Sequence, residues 1–380
     1  MLRTLHLLVW ILLFPAASLA QNASVIETDA EFAVIMDHDT GEILFSKRGD
    51  EPMVPASMTK IMTAQVIFER LATGEYALAD RFTVSENAWR KGNAASGGST
   101  MFLEPGDTPT IAELLRGVIV VSGNDACITL AEGVSGTEEA FAREMTSVAQ
   151  ERGLTSANFK NASGLYAEDH VISAIDLARL AKIQIEEFPE LYAIYTEEEY
   201  SWNNIKQSNR NPLLGKRGVD GLKTGHLNAS GYGLVASAER DGKRRTIVIN
   251  GLPSEAARAR EADRLMRQAF NAFESRTLAA DNRVLAELPV ALGTTTKVGV
   301  ALSEPIIVTA HKRAFPRATS EIVYQGPIRA PVEEGQEIAQ LIISVDGKKP
   351  IVKPLVATNS AEKLSFFGKA VAGLSAMMEN

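Results

Sequence analysis

The sequence predicts an α+β protein: an antiparallel sheet covered by helices, with a helical subdomain, followed by a small all-β sandwich. Three observations carry this. Apolar residues alternate with period two at both ends of residues 21–275. Runs with helical period and capping residues lie between those ends. From Arg276 to about Thr358 the helical period fades, and short β runs punctuated by Pro and Gly replace it. A chain of 380 residues is also long enough for two domains with ample cores.

Taken in order, MLRTLH carries a basic residue, LLVWILLF is a short apolar block, and PAASLA ends in small residues. Residues 1–20 therefore read as a secretory signal peptide with cleavage expected after Ala20. The apolar block is well short of the ~20 residues of a spanning helix. The chain is expected to be exported. Its one cysteine, Cys127, allows no intrachain disulfide and reads as a buried spare thiol. Export without disulfides fits a bacterial periplasm or cell surface better than a eukaryotic secretory route. The N-x-S triplets at Asn22, Asn161 and Asn228 are of a kind common by chance and carry no weight. A net charge of −8, with no clustered Lys/Arg stripe, argues against a nucleic-acid partner.

Residues 31–53 read as a hairpin: Ala33, Ile35, Ile43 and Phe45 alternate around an Asp39-Thr40-Gly41 turn. A helix follows, opened by Ser57. Two more are expected across residues 108–134, the first capped by Thr110 with Glu113, broken at Ser122-Gly123-Asn124 and resumed from Asp125. Ser173 with Asp176 repeats the cap. Residues 231–252 form a strand pair around Asp241-Gly242, and a helix over residues 254–275 closes the first domain. In the β domain, residues 276–358, the runs are Lys297–Leu302, Ile306–Thr309, Ile338–Ser344 and Ile351–Val356. A lipoyl-carrier reading of APVEEGQEIAQL fails because no Lys stands at the tip of the Asp346-Gly347 hairpin. In residues 359–380, a helix would align Leu364, Phe367, Val371, Leu374 and Met378 on one stripe, with Lys363 and Lys369 off it. That suits a helix lying in a membrane surface. The alternative is packing on the protein itself or on a second copy, and the oligomeric state stays open.

The chemistry centres on Ser57-x-x-Lys60. At a helix start, residues three apart share a face, so a lysine can take the serine's proton if burial or a nearby cation keeps it neutral. Alone, the spacing is common. Further along, Ser122-Gly123-Asn124 supplies a second hydroxyl and an amide on an interhelical turn. Lys223-Thr224-Gly225, just before the strand pair, supplies a second cation to depress the Lys60 pKa and a glycine that permits close backbone approach. The three together, in this order, are a specific signal.

Carrying these motifs within VPASMTKIMTA, FLEPGDTPTIAELLRGVIVVSGNDA, NFKNASGL and GLKTGHLNASGYGLVASA, the chain resembles the low-molecular-mass penicillin-binding proteins of the serine D,D-carboxypeptidase kind, with an added C-terminal β domain. The resemblance implies the penicillin-recognising serine transferase, or β-lactamase-like, fold. It implies that Ser57 attacks the carbonyl between the two terminal D-alanines of a peptidoglycan stem peptide, with Lys60 as base. Ser122 and Asn124 would join the proton and substrate network. Lys223, Thr224 and an arginine after the strand pair would receive the terminal carboxylate, Gly225 would let the backbone approach the bound chain, and backbone N–H groups of Ser57 and His226 would form the oxyanion hole. For the arginine, Arg260 of the Arg260-Glu261 pair is preferred to Arg258. No cofactor or metal is implied. Expected partners are stem peptides, β-lactams that acylate Ser57, and the outer face of the inner membrane, reached through the tail.

Three rival readings are weighed. A class A β-lactamase shares the motifs, but no glutamate precedes Glu168 where its deacylating residue would lie. A D,D-endopeptidase acting on crosslinks shares all three motifs. A non-catalytic wall scaffold would have no reason to keep both lysines.

Overall fold

A computed structural model of the chain describes residues 26–365. The expected signal peptide, and the tail from residue 366, lie outside these residues. Strands β1 (Phe32–Asp37) and β2 (Ile43–Lys47) make the anticipated hairpin. β3 (Pro52–Met53) leads into a single 3₁₀ turn, Ala56–Thr59, that runs directly into α1 (Lys60–Ala72). Every residue from Lys60 to Phe68 is buried, so α1 is a core helix rather than a one-faced surface helix.

Four helices follow: α2 (Glu86–Gly92), α3 (Ile111–Ile119), α4 (Asn124–Ser135) and α5 (Glu138–Glu151). α3 opens with the full Thr110/Glu113 capping box. β4 (Ile172–Ser173) pairs with β3, then α6 (Ala174–Glu187) begins. There Ser173 Oγ accepts from Asp176 N as expected, but the Asp176 carboxylate turns away to Ser156 N and Oγ, so the reciprocal half of the box is absent. After α7 (Pro189–Tyr192) come a small hairpin, β5 (Glu199–Trp202) with β6 (Ile205–Ser208), and the long strands β7 (Val219–Leu227), β8 (Gly231–Arg240) and β9 (Lys243–Leu252). The main sheet runs β2-β1-β9-β8-β7, antiparallel throughout, which leaves β7 on an edge. The β8–β9 turn places Asp241 and Gly242 both at positive φ, the conformation such dipeptides favour. α8 (Glu255–Asn271) packs on β8 and β9.

Contacts divide the described chain into two compact units. The larger comprises Thr28–Asn282 and Glu304–Arg313. Among the described residues, the smaller comprises residues 26–27, Arg283–Ser303 and residues 314–365. The division differs from a simple boundary at Ser275. α8 ends at Asn271, and β10 (Phe273–Ala279) takes up residues that helical periodicity had assigned to the helix. β10 pairs with β13 (Ile306–His311), a run that composition had placed in the β domain. Ile306, Val308 and Ala310 are buried there, which fixes β13 in the larger unit.

The smaller unit is all β. It contains β11 (Ala286–Ala291), β12 (Lys297–Ala301), β14 (Thr319–Val323), β15 (Ile328–Arg329), β16 (Glu337–Ser344) and β17 (Ile351–Ala357). They hydrogen-bond in the order β14-β16-β17-β12-β11-β15. β16 buries Ala339, Leu341 and Ile343 with period two, as a half-buried strand must. Residues 359–365, the start of the expected tail helix, are not helical. Ala361 bridges Val332, and Lys363 bridges Gly293. Among the described residues, no helix is long and apolar enough to cross a membrane.

Candidate active site

Ser57 lies in the 3₁₀ turn ahead of α1. In a 3₁₀ turn side chains at i and i+3 eclipse one another, which sets Ser57 Oγ 3.0 Å from Lys60 Nζ. Ser57 is half-buried, whereas Lys60 is 1% exposed. Lys60 Nζ also donates to Asn124 Oδ1 at 2.8 Å and to the Ser163 carbonyl at 2.6 Å. A neutral amine has two N–H donors and one lone pair. In that form two carbonyl oxygens would take the donors and the lone pair would be left for the Ser57 hydroxyl; in the ammonium form Nζ donates to all three oxygens. Burial is the main cause holding the Lys60 pKa below that of an ordinary lysine, against the opposing pull of Cys127, Asp125 and Glu138.

Asn124 is aimed by its neighbour. Asp125, fully buried at the start of α4, accepts from Met101 N, Leu103 N, Ala126 N and Thr100 Oγ1. Asn124 N donates to Ser99 O. This clasps residues 99–103 over the α3–α4 turn. In that turn Ser122 has φ +65°, a conformation that costs a non-glycine residue energy and is typical of functional turns. Ser122 Oγ accepts from Lys223 Nζ at 2.9 Å. Lys223 is buried too, and also donates to the Thr224 carbonyl. Its pKa is pushed well down, first by burial and then by Lys60, with Arg210 and Arg258 adding to the repulsion. The sequence reading had the second cation acting on Lys60. In the folded chain burial is the first cause lowering both amines, and the repulsion between Lys60 and Lys223 opposes protonation of the pair.

Lys223, Thr224 and Gly225 lie just before the β8–β9 strand pair, as expected, and within a third strand, β7. A Cβ on Gly225 would sit 2.7 Å from Pro55 O and 3.2 Å from Met58 N, so glycine here is what lets β7 lie against the Ser57 turn. Thr224 is buried, while His226 is exposed and stacks on Tyr232 of β8 at 3.9 Å. The Arg258 guanidinium lies 5.7 Å from the same Tyr232 ring.

The structure separates the two candidate arginines. Arg258 is 4% exposed, faces the sheet and has an unpartnered buried Nε. Arg260 is exposed and is not among the charges acting on Lys223. The physical reason is helical phase: Arg258, Ala262 and Leu265 share the buried stripe of α8, and Arg260 lies two residues off it. The preference for Arg260 is corrected accordingly. That periodicity was present in the sequence. The Ser163 carbonyl and Arg210 were missed for a different reason, since each is brought in by a loop with no chemical signature of its own.

Glu168, the residue a β-lactamase reading would examine, is exposed. Cys127 is fully buried, with burial raising its thiol pKa to about 12. Among the described residues, no three His, Cys, Asp or Glu side chains are grouped to hold a metal ion.

Residues 18–253 match the family model described as D-alanyl-D-alanine carboxypeptidase, and residues 273–363 match that of the penicillin-binding protein 5 C-terminal domain. The chain is 36% identical to the D-alanyl-D-alanine carboxypeptidase DacC of Escherichia coli K12, covering 92% of this chain and 88% of that one. Among solved structures, that of the D-alanyl-D-alanine carboxypeptidase DacD from Francisella tularensis aligns with TM-score 0.77 and 31% identity, over 89% of this chain and 95% of that chain. Penicillin-binding protein D2 from Listeria monocytogenes in its ampicillin-bound form aligns at 0.56 and 26%, over 65% of this chain and 99% of its own. The eclipsed serine–lysine pair, the strained second serine and the lysine strand thus stand in a chain that belongs to the D-alanyl-D-alanine carboxypeptidase family of penicillin-binding serine peptidases.

Proposed function

We propose that this D-alanyl-D-alanine carboxypeptidase works through Ser57 as nucleophile and Lys60 as base. Ser57 Oγ attacks the carbonyl carbon between the two terminal D-alanines, and its proton passes to the Lys60 lone pair. The carbonyl oxygen becomes an oxyanion held by the backbone N–H groups of Ser57 and His226, donors whose preorganisation is worth ~3–4 kcal/mol each. Collapse breaks the C–N bond. The departing D-alanine nitrogen takes a proton from Ser122 Oγ, which the Lys223 amine orients, and the proton that Lys60 took from Ser57 is passed on to replace it, so that Lys60 is neutral again. Water then attacks the acyl ester with Lys60 again as base, and the shortened stem peptide leaves. A β-lactam enters by the same first step and leaves its opened ring on Ser57.

The substrate's terminal carboxylate is assigned to Thr224, to the Lys223 amine and to the cations Arg258 and Arg210. These gather in a chain whose net charge is −8, which focuses positive potential where an anion is received. The open edge of β7 gives an extended peptide a strand to pair with.

The observation that carries the reading is the 3.0 Å approach of Ser57 Oγ to a buried lysine whose two donors already have carbonyl acceptors. Intact-protein mass spectrometry after a β-lactam should show one adduct, mapped to Ser57. Ser57→Ala and Lys60→Ala should each lose both the adduct and D-alanine release. An adduct retained in Ser57→Ala would move the nucleophile elsewhere.

The site of action proposed is the bacterial periplasm, at the outer face of the inner membrane. The supporting features are the signal-like residues 1–20 and the apolar stripe of the tail. Deleting residues 366–380 should move the protein from membrane to soluble fractions; unchanged fractionation removes the anchor.

A further inference from the structure

His170 is a buried histidine with no part in the chemistry above. It is 1% exposed and closes a loop whose ends, Asn158 and Val171, bridge each other. The backbone N–H of Lys160 donates to His170 Nδ1 at 3.1 Å. Nδ1 must therefore carry the lone pair, and Nε2 the proton. Nε2 lies 2.8 Å from Thr59 Oγ1, to which it donates. Thr59 belongs to the 3₁₀ turn between Ser57 and Lys60. The imidazole thus ties the loop backbone to the nucleophile's turn.

The same loop touches the turn and the start of α1 at further points. The Ser163 carbonyl accepts from Lys60 Nζ, and the Ala162 carbonyl accepts from Thr63 Oγ1 at 2.5 Å. Gly164, at φ +80°, lies so close that a Cβ would sit 1.9 Å from Ala56 O. Lys60 owes one of its two carbonyl acceptors entirely to where this loop is held.

We propose that His170 is a positioning residue: as the neutral Nε2–H tautomer it fastens the loop bearing the Ser163 carbonyl to the Ser57–Lys60 turn, and so sets the orientation of the Lys60 lone pair. The proposal rests on Lys60 being the base. The charged groups acting on His170 are Lys160 and Lys60, and both oppose its protonation. With burial as the larger cause, they bring its pKa down to about 4, so the fastening holds at neutral pH. Around Lys60, the groups that titrate or carry charge are Asp125, Glu138, Cys127 and Lys223.

The test compares His170→Leu, His170→Gln and Thr59→Val in the full chain. Acylation by a fluorescent penicillin and D-alanine release are followed between about pH 5 and pH 9. His170→Leu should lower acylation and kcat by about 10- to 100-fold, as a misplaced catalytic group does, with KM little changed. Its acid limb should move to higher pH, because water reaching Lys60 restores its affinity for a proton. His170→Gln, which keeps a donor and an acceptor, should recover most of the rate. Thr59→Val, which deletes only the acceptor, should shift the rate and the acid limb in the same direction as His170→Leu. An unchanged acid limb in Thr59→Val and in whichever His170 variants fold overturns the proposal. Lys60→Ala separates the two failures: if it stays active, the base assignment is wrong. If it is silent while Thr59→Val is wild type, only the positioning role is lost.

Discussion

Lys60 and Lys223 are two amines buried in one unit, and a hydroxyl lies beside each. Neither amine is offered a carboxylate by the hydrogen bonds around it. Lys60 donates to an amide and a backbone carbonyl, and Lys223 to a hydroxyl and a backbone carbonyl. These are partners that suit a neutral amine, and they avoid the ion pair that would keep a lysine protonated. At this scale the arginines make a sharp contrast. Arg258→Ala should raise KM for a D-Ala-D-Ala peptide by about 10-fold or more, the loss of one charge-assisted bond to a carboxylate. Arg260→Ala should leave KM within about two-fold, as exposed surface substitutions do. Steady-state kinetics on the two variants decides it. The sequence displayed the residue types plainly, since Ser57, Lys60, Ser122 and Lys223 stand in recognisable triplets. It did not display how deeply the two amines are buried, because that burial is supplied by residues far away in the chain.

Among the elements, β7 and the 3₁₀ turn matter most. Neither is long-range in sequence terms, but their contact is, and it depends on glycine. Gly225→Ala should push β7 away from Pro55 and Met58, because the nearest atom is backbone and cannot swing aside. D-Alanine release should fall by about 100-fold, as a ~1 Å displacement of a catalytic group implies. Circular dichroism should show the fold retained; wild-type turnover would show that the close approach is unimportant. α1, α3, α4, α6 and α8 were legible because capping residues and apolar periodicity are local signals, whereas α2, α5 and α7 were not read from the sequence. The β1–β2 and β8–β9 hairpins were legible from their turn residues. The extent of β7 was hidden, since a strand holding Lys, Thr, Gly and His reads as polar until the buried pocket around it is known. β10 was hidden by the opposite effect: its Phe273 extends the apolar period of α8 and gives no sign that the helix has ended.

At the scale of the whole molecule, the larger unit is completed by a segment that the chain reaches only after entering the smaller one. Composition alone drew one boundary near Ser275, because β-rich sequence looks alike whichever sheet it joins. A chain ending at Asn282 lacks β13 and the burial of Ile306 and Val308, a loss of about 3–6 kcal/mol. Its melting temperature should be lower than that of the full chain by on the order of 10 °C. Replacing residues 283–303 with a flexible linker of about ten residues, and ending at Arg313, should recover most of that difference in calorimetry. No recovery would mean that β13 is not what the shorter chain misses.

A ribosome releases residues strictly in order, and the strand that finishes the nucleophile-bearing half comes late. During synthesis this half stays one strand short while the excursion through residues 283–303 is still being made. A polypeptide stalled anywhere before Arg313 therefore carries Ser57 and Lys60 in a unit that still lacks the partner strand of β10.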